Sequence, residues 1–279
     1  MNYPPQKDSM YLMPTHFGPM CGPRQGPGGE MFAFSSDQRK VMAVEVRFLT
    51  EAEQLQPFMP PGFSLNGEPV VTVFAKFMKD IDWLAGRGYN VLGVSVPARF
   101  EGEQDRAVGP FLMVLWENLA DPILTGREQL GFSKVYCELP EPVTFRGETH
   151  CTASWLGFKF LDIKLQNLQE SSTADTRQLA DDEGLSGTLH YKYIPRTGEW
   201  GEADAAYACL SPTPATITPP NERRTGEGTV CFHQARWEDL PTQHMIVNAF
   251  HGLTVKEYRG AKIEHSVGGG DLGNQRILK

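Results

Sequence analysis

Short apolar runs rich in β-branched and aromatic residues recur from Val41 to Tyr258, separated by stretches of Gly, Pro and polar residues. In the first run, apolar positions from Met42 to Phe48 alternate with their neighbours, which is typical of a strand. Further strand-like runs lie at 70–78, 91–100, 111–116, 135–137, 143–146, 151–165, 187–194 and 245–258. Only short helices are expected, at about 51–58 and from Asp121 to near Gly131. The pattern predicts an α+β fold, rich in β and built on antiparallel sheet.

The first forty residues have a different composition. They contain several Pro and Gly clusters, such as Gly22-Pro23 and Gly26-Pro27. Such clusters favour irregular structure. We therefore expect an N-terminal arm over 1–40 and a single domain over 41–279.

Charge and cysteine usage narrow the choice of partners and compartment. The chain has 26 Lys and Arg against 34 Asp and Glu, a net charge of −8, and no basic run. This argues against nucleic acid or an anionic membrane as a partner. No apolar stretch reaches the roughly 18 residues of a membrane span, and no signal peptide is evident. Five cysteines without a CxxC pair favour a reducing cytoplasm.

Common catalytic and metal-binding motifs are missing from the sequence. There is no phosphate-binding loop, dinucleotide fingerprint, nucleophile elbow or HExxH. Cys231 and His233 stand two residues apart, so a strand would place both on one face. Without a second ligand pair, a structural Cys beside a polar His is favoured over a metal site. We expect neither a metal nor an organic cofactor.

The segment from Gly109 to Pro140 is the most informative part of the chain. An apolar strand leads to a short helix, a turn at Gly131, and then Lys134 between Phe132 and Val135. Burial favours the neutral form of an amine, and a neutral amine can attack a ketone or aldehyde. The alternative is a lysine at a strand start whose ammonium stays in water.

This segment resembles the signature of the acetoacetate decarboxylase family, which has a Gly-Arg-Glu triplet, an aromatic residue, usually a Pro, and then a Schiff-base lysine. Here the triplet is 126–128, the aromatic residue is Phe132 and the lysine is Lys134. The resemblance extends weakly over about 40–265. It implies a closed, strongly curved antiparallel β domain, resembling a β-barrel, that assembles as a homo-oligomer.

Several positions depart from that family pattern. The second of two adjacent lysines is replaced by Val135, and the Pro before the lysine by Ser133. Two pocket glutamates are replaced by Phe74 and Val91. The pocket arginine of the family corresponds either to Arg39 or to Lys40.

The resemblance implies roles for further residues. Arg127 and Glu128 are interpreted first as an ion pair that holds the lysine loop, with direct catalysis by Glu128 and substrate binding by Arg127 as the alternative. An apolar pocket is expected from Phe74, Val91, Leu115 and Phe132. His251 and Tyr258, expected on one C-terminal strand, are candidates for moving protons.

The resemblance implies a Schiff-base lyase that acts on a keto or aldehyde substrate. Decarboxylation and aldolase or dehydratase chemistry both remain open, and the departures argue against true acetoacetate decarboxylation. The alternative is a non-catalytic binder of an apolar small molecule on the same fold. A Ser or Cys hydrolase ranks below both, since no motif supports it.

Overall fold

A computed structural model describes residues 11–17, 26, 36–173, 185–213, 219–269 and 274–279. Strands dominate this part of the chain. In chain order they are β1 (Lys40–Leu49), β2 (Phe63–Leu65), β3 (Val70–Ile81), β4 (Arg87–Glu101), β5 (Arg106–Glu117), β6 (Lys134–Tyr136), β7 (Val143–Phe145), β8 (Glu148–Trp155), β9 (Phe158–Glu170), β10 (Leu185–Pro195), β11 (Ala203–Pro212), β12 (Glu222–Phe232), β13 (Glu257–Val267) and β14 (Arg276–Ile277).

The helices are short, as the sequence predicts. They are α1 (Ala52–Leu55), α2 (Ala120–Thr125) and α3 (His244–His251), with a π-helical turn at Gly126–Leu130 and 3₁₀ turns at Thr15–Phe17, Gln56–Phe58 and Asp82–Leu84. In the described ranges, no helix is long and apolar enough to cross a membrane.

The strands form one mixed sheet. Its order is β14-β11-β10-β5-β4-β3-β1-β13-β12-β9-β8-β7, with β2 added beside β4 and β6 beside β5. Neighbouring strands are antiparallel except for the parallel pairs β10–β5 and β5–β6. The prediction of a β-rich fold built mainly on antiparallel pairs is confirmed.

The sheet curls but does not close. The segment after β6 forms an isolated bridge between Glu138 and Ser154 of β8. Along the strand order β8 lies seven intervals from β5, or about 34 Å at ~4.8 Å per strand, so this bridge requires strong curvature. Within the described residues no ladder joins the two ends of the sheet. The expectation of a closed barrel is therefore wrong, because a single bridge replaces the ladder that closure would need.

The middle strands carry apolar side chains on both faces. On one face Val73, Leu92 and Trp116 belong to the main hydrophobic core. On the other face a smaller cluster includes Phe74 and Leu115. Because side chains alternate along a strand, a continuous apolar run such as 111–116 supplies both clusters.

One predicted strand is wrong. The run 245–258 contains helix α3, and only its last residues belong to β13. Val247 and Phe250 are buried on one side of α3, and the Asn248 amide bonds the backbone N and O of Ala235. Ile246, Val247 and Phe250 follow helical spacing, which apolar content alone does not distinguish from a buried strand.

The start of the chain is described only in part. Residues 1–10, 18–25 and 27–35, which hold most of the expected arm, lie outside the described residues. Ser36 donates its backbone N–H to the Gly269 carbonyl at 3.2 Å, just before β1 begins at Lys40.

Candidate active site

Strand register brings the candidate lysine into line with apolar residues of three neighbouring strands. Phe74 of β3 lies opposite Gly93 of β4, and Gly93 lies opposite Leu115 of β5. Leu115 is in turn the parallel partner of Lys134 in β6. Residues in register share a face of the sheet, so Lys134 lies on the face of the smaller hydrophobic cluster.

The Lys134 side chain is buried, and its amine has two oxygen partners. The residue is 7% exposed. Nζ lies 2.8 Å from Glu117 Oε1 and donates to the Pro122 carbonyl oxygen at 3.0 Å. It also lies 5.7 Å from the centroid of the Phe132 ring. The expectation of a buried amine is confirmed, and the alternative of an ammonium in water is wrong.

Gly126 makes room for this amine. A Cβ at Gly126 would lie 2.6 Å from Lys134 Nζ and closer still to its Cδ and Cε. Any side chain here would displace the lysine, since real Cβ atoms do not approach that closely. The glycine of the Gly-Arg-Glu triplet is therefore a steric requirement of the lysine position.

Glu117 is the acidic partner that sequence reasoning missed. It is 1% exposed and stands two residues after Leu115, on the same face of β5. Burial raises its pKa, against the opposing effect of the Lys134 charge. Its Oε2 is buried and has no hydrogen-bond partner among the described residues. A carboxyl group in this environment can accept a proton from the amine beside it.

The loop before the lysine is fixed through its backbone. Arg127 donates from Nη1 to the Lys134 carbonyl oxygen at 2.9 Å, and Lys192 donates from Nζ to the Glu128 carbonyl oxygen at 2.7 Å. The two side chains of the triplet form no ion pair with each other in the described part of the chain. The predicted ion pair is therefore wrong, although Arg127 does hold the loop. A role for Glu128 in catalysis stays a prediction.

His190 supports the same loop from the neighbouring strand β10. It is fully buried, with Nδ1 2.9 Å from the Gly131 carbonyl oxygen and Nε2 3.2 Å from Ser211 Oγ. Its ring stacks on Phe132 with centroids 4.1 Å apart. Burial lowers the pKa of His190 to about 4, against the opposing effect of the bond to Gly131. A neutral imidazole therefore packs against the aromatic residue beside the amine.

The expected apolar residues do lie together. Val91, Leu115 and Phe132 are buried members of the smaller cluster, and Phe74 packs against them. Gly93 admits the Phe74 ring, since a Cβ there would meet both that ring and Leu115. Met78, Ile81, Leu112 and the partly buried Trp83 extend this apolar surface.

His251 and Tyr258 lie elsewhere. The His251 Nδ1 is 2.7 Å from the Phe232 carbonyl oxygen at the end of α3. The Tyr258 hydroxyl bonds the backbone of Val230, and its ring meets Phe48 edge-on. β13 is five strand intervals from β6, about 24 Å along the sheet. This distance separates Tyr258 from Lys134, while α3 packs Val247 and Phe250 into the main core, on the face opposite Lys134. In the described part of the chain, neither His251 nor Tyr258 contacts Lys134.

Across the described ranges, no group of three or more His, Cys, Asp or Glu side chains is arranged to hold a metal ion. The similarity to a known family extends over most of the chain. The model of the acetoacetate decarboxylase family matches residues 13–266. The chain belongs to the acetoacetate decarboxylase family.

Solved structures share this family fold. An acetoacetate decarboxylase structure aligns with a TM-score of 0.65 at 17% identity, over 87% of this chain and 90% of that one. The acetoacetate decarboxylase of Legionella pneumophila aligns at 0.61 and 16%, over 91% and 92%. MppR, an enduracididine biosynthesis enzyme complexed with the condensation product of pyruvate and imidazole 4-carboxaldehyde, aligns at 0.63 and 17%, over 91% and 94%. No curated protein matches the sequence.

The structure shows the surroundings of two positions that bear on the departures from the family pattern, Val135 and Lys40. Val135 is next to Lys134 on β6 and packs against the main core, on the opposite face. A lysine at this position would point away from the Lys134 amine, so Val135 does not decide the amine's surroundings. Lys40 is paired with Asp80 at 2.9 Å on the surface, which disfavours it as the pocket cation.

Proposed function

We propose that this member of the acetoacetate decarboxylase family is a Schiff-base-forming lyase with Lys134 as its nucleophile. The observation that carries the proposal is the Lys134 amine, buried on an apolar face and 2.8 Å from the buried carboxylate of Glu117. A neutral amine is the reactive form, and a carboxyl group whose pKa is raised by burial can take up its proton.

The proposed reaction proceeds without a metal or organic cofactor. The amine nitrogen adds to the carbonyl carbon of a ketone or aldehyde, and the resulting carbinolamine loses water to form an iminium. Glu117 takes up two protons from the nitrogen in turn and passes each to the former carbonyl oxygen, which its unpartnered Oε2 can contact. The oxygen therefore leaves as water, and Glu117 is left ionised as at the start. The iminium then withdraws electrons from the neighbouring carbon, which allows loss of carbon dioxide, retro-aldol cleavage or dehydration.

The cluster favours a neutral carbonyl substrate. Phe74 and Val91 present only hydrocarbon where family members have glutamates, and the surrounding residues are apolar. Burying a substrate carboxylate among them without a partner would cost several kcal/mol. We therefore place the chain with aldolase or dehydratase-type relatives rather than with true acetoacetate decarboxylases. Phe74, Val91, Leu115 and Phe132 are the proposed substrate contacts.

The proposal is tested by exchange of α-protons in heavy water. An iminium acidifies the hydrogens next to the carbonyl carbon, so the protein should catalyse deuteration of acetone, a neutral ketone, measured by NMR. We expect exchange with the native protein, none above background with Lys134→Met, and a loss of at least ten-fold with Glu117→Gln. Equal exchange by Lys134→Met and the native protein would refute the lysine mechanism.

The second candidate is a non-catalytic binder of an apolar small molecule. The satisfied amine favours it, since Glu117 and Pro122 together give Lys134 Nζ two acceptors, as in a structural ion pair. This candidate predicts binding of an apolar carbonyl compound with no exchange and no covalent adduct. The same heavy-water experiment therefore separates the two functions.

A further inference from the structure

A second group of reactive side chains lies on the exposed side of β8, β9 and β12, away from Lys134. Asp162 of β9 is paired in register with Cys231 of β12. His150 of β8 and His233, just after β12, lie on either side of Asp162. The fold thus places Asp162, which is distant in the chain, beside Cys231 and His233 of the Cys-x-His pattern.

Asp162 binds three cationic or hydrogen-donating groups. Its Oδ1 lies 2.6 Å from His150 Nε2, and its Oδ2 lies 2.5 Å from His233 Nε2. Lys159 Nζ contacts both oxygens, at 2.9 and 2.8 Å. Burial would raise the pKa of Asp162, but hydrogen bonds from Lys159, His233 and His150 outweigh it and lower this pKa to about 2. The carboxylate is therefore ionised at neutral pH and can only accept.

The ionised carboxylate fixes the tautomer of His233. Because Asp162 only accepts, His233 Nε2 must carry the hydrogen in their contact. In the neutral ring, Nδ1 is then the nitrogen without a hydrogen. That nitrogen lies 4.0 Å from Cys231 Sγ, and Cys231 is exposed. The thiol thus has a base within reach, and the base is oriented by an acid, which is the arrangement of an activated nucleophile.

We propose that Cys231, His233 and Asp162 form a reactive-thiol site that takes up low-molecular-weight disulfides by thiol–disulfide exchange. This site is independent of the proposed lyase function.

The exchange step needs no further reagent. His233 Nδ1 removes the thiol proton, and the Cys231 thiolate attacks one sulfur of the disulfide. A new sulfur–sulfur bond forms as the old one breaks, so Cys231 is oxidised while the displaced thiolate is reduced. The displaced thiolate then receives the proton from His233. A second exchange with a free thiol reverses the modification.

The other described cysteines are unsuited to this chemistry. Cys137, Cys151 and Cys209 are buried, and burial raises the pKa of each thiol, to about 12 for Cys151 and about 11 for Cys209. Cys21 lies outside the described residues. Modification in the native protein is therefore expected at Cys231, and Cys231→Ser gives the background from Cys21.

The test measures the rate of modification of Cys231 by oxidised glutathione at pH 7, resolved by peptide mass spectrometry. A thiol without a base nearby is only a few per cent thiolate at this pH, so a base can speed the reaction about ten-fold. We expect His233→Asn to slow modification of Cys231 about ten-fold and Asp162→Asn to slow it several-fold.

His150→Asn is the matched control, because His150 bonds the same carboxylate without contacting Cys231. It should leave the rate within two-fold of the native protein. Iodoacetamide should give the same order of rates, since it needs the same thiolate. The proposal fails if His233→Asn reacts within two-fold of the native protein while circular dichroism shows both to be folded, or if His150→Asn is slowed as much as His233→Asn.

Discussion

Lys134 and Glu117 contribute opposite charges to a part of the protein that is nearly closed to solvent. Burying each ion costs several kcal/mol, and their mutual attraction offsets this cost only while both are present. Their contact therefore affects both the stability of the fold and the proposed chemistry of the amine. The two effects are separable by substitution.

For Lys134→Met we expect no Schiff-base chemistry and a loss of about 3 to 5 kcal/mol in unfolding free energy, because Glu117 is left buried without its cation. Urea denaturation at pH 7 measures the loss. The matched control is the double variant Lys134→Met/Glu117→Leu, which leaves no charge to bury and should recover most of the stability while staying inactive. A double variant as unstable as the single one would contradict this account.

The sequence predicts Lys134 because its motif is local: a glycine, an arginine, an aromatic residue and a lysine within nine positions. It does not reveal Glu117, because the contact depends on the parallel register of β5 and β6. The sequence does contain one indication of Glu117. Glu117 is the first charged residue after the apolar run 111–116, at an even spacing from Leu115, which places it on the same face if the strand continues.

At the scale of elements, the turn between α2 and β6 shapes the site. Gly126–Leu130 is π-helical and Gly131 has a positive φ of 85°, a conformation that favours glycine. This turn brings Gly126 against the Lys134 side chain. Gly126 leaves room for the Lys134 amine, and Gly131 allows the turn that leads into β6.

For Gly126→Ala we expect the Schiff-base reaction to fall at least 100-fold, because the new methyl group occupies the place of the Lys134 amine. Helix propensity alone would make this change stabilising by about 1 kcal/mol. The control is Gly252→Ala, where a Cβ meets nothing closer than 3.4 Å. α-Proton exchange in heavy water measures both variants, and unchanged exchange in Gly126→Ala would contradict the proposed packing.

His190 links the stability of this element to pH. The pKa of His190 in the folded protein, about 4, lies below its ordinary value of 6.5. The stability that the neutral, buried ring provides is therefore full above pH 6.5 and is lost as the pH falls towards 4. The loss over that window is about 3 kcal/mol. In His190→Gln, which does not titrate, the fall in unfolding free energy between pH 6.5 and 4 should be smaller by about that amount. Equal pH slopes in the two proteins would argue against a buried neutral imidazole.

Helix α3 shows where element prediction fails. Met245 to Phe250 has the apolar content of a strand, and the helix is established by packing of Val247 and Phe250 and by the Asn248 bonds to Ala235. Those contacts come from residues that the local pattern does not identify. The expected placement of His251 and Tyr258 on one strand is therefore wrong, since His251 ends α3 and Tyr258 lies in β13.

At the scale of the whole molecule, alternation and apolar runs predict a β-rich fold, since they report which residues a sheet buries. They do not predict whether the sheet closes. Closure depends on long-range pairing, and among the described residues an isolated bridge between Glu138 and Ser154 connects the segment after β6 to β8 without a ladder. Most antiparallel pairs join strands that are close in the chain, but the pairs β1–β13 and β9–β12 join strands that are far apart, and a local pattern does not predict them.

Acetoacetate should be a poor substrate for this protein. Its carboxylate would enter a cluster where Phe74 and Val91 offer no polar contact. We expect carbon dioxide release at least 100-fold slower than the roughly 10 per second of an ordinary enzyme. A manometric or coupled assay measures it. Turnover near 10 per second would show that the cluster accommodates the anion.

Covalent trapping is the most direct test of a Schiff base at Lys134. The native protein is incubated with acetone and reduced with borohydride, and the adduct is located by peptide mass spectrometry. The account predicts one added ligand per chain, on the peptide that contains Lys134, and no adduct in Lys134→Met. An adduct confined to other lysines, or no adduct with any small ketone or aldehyde that binds, would contradict the central claim.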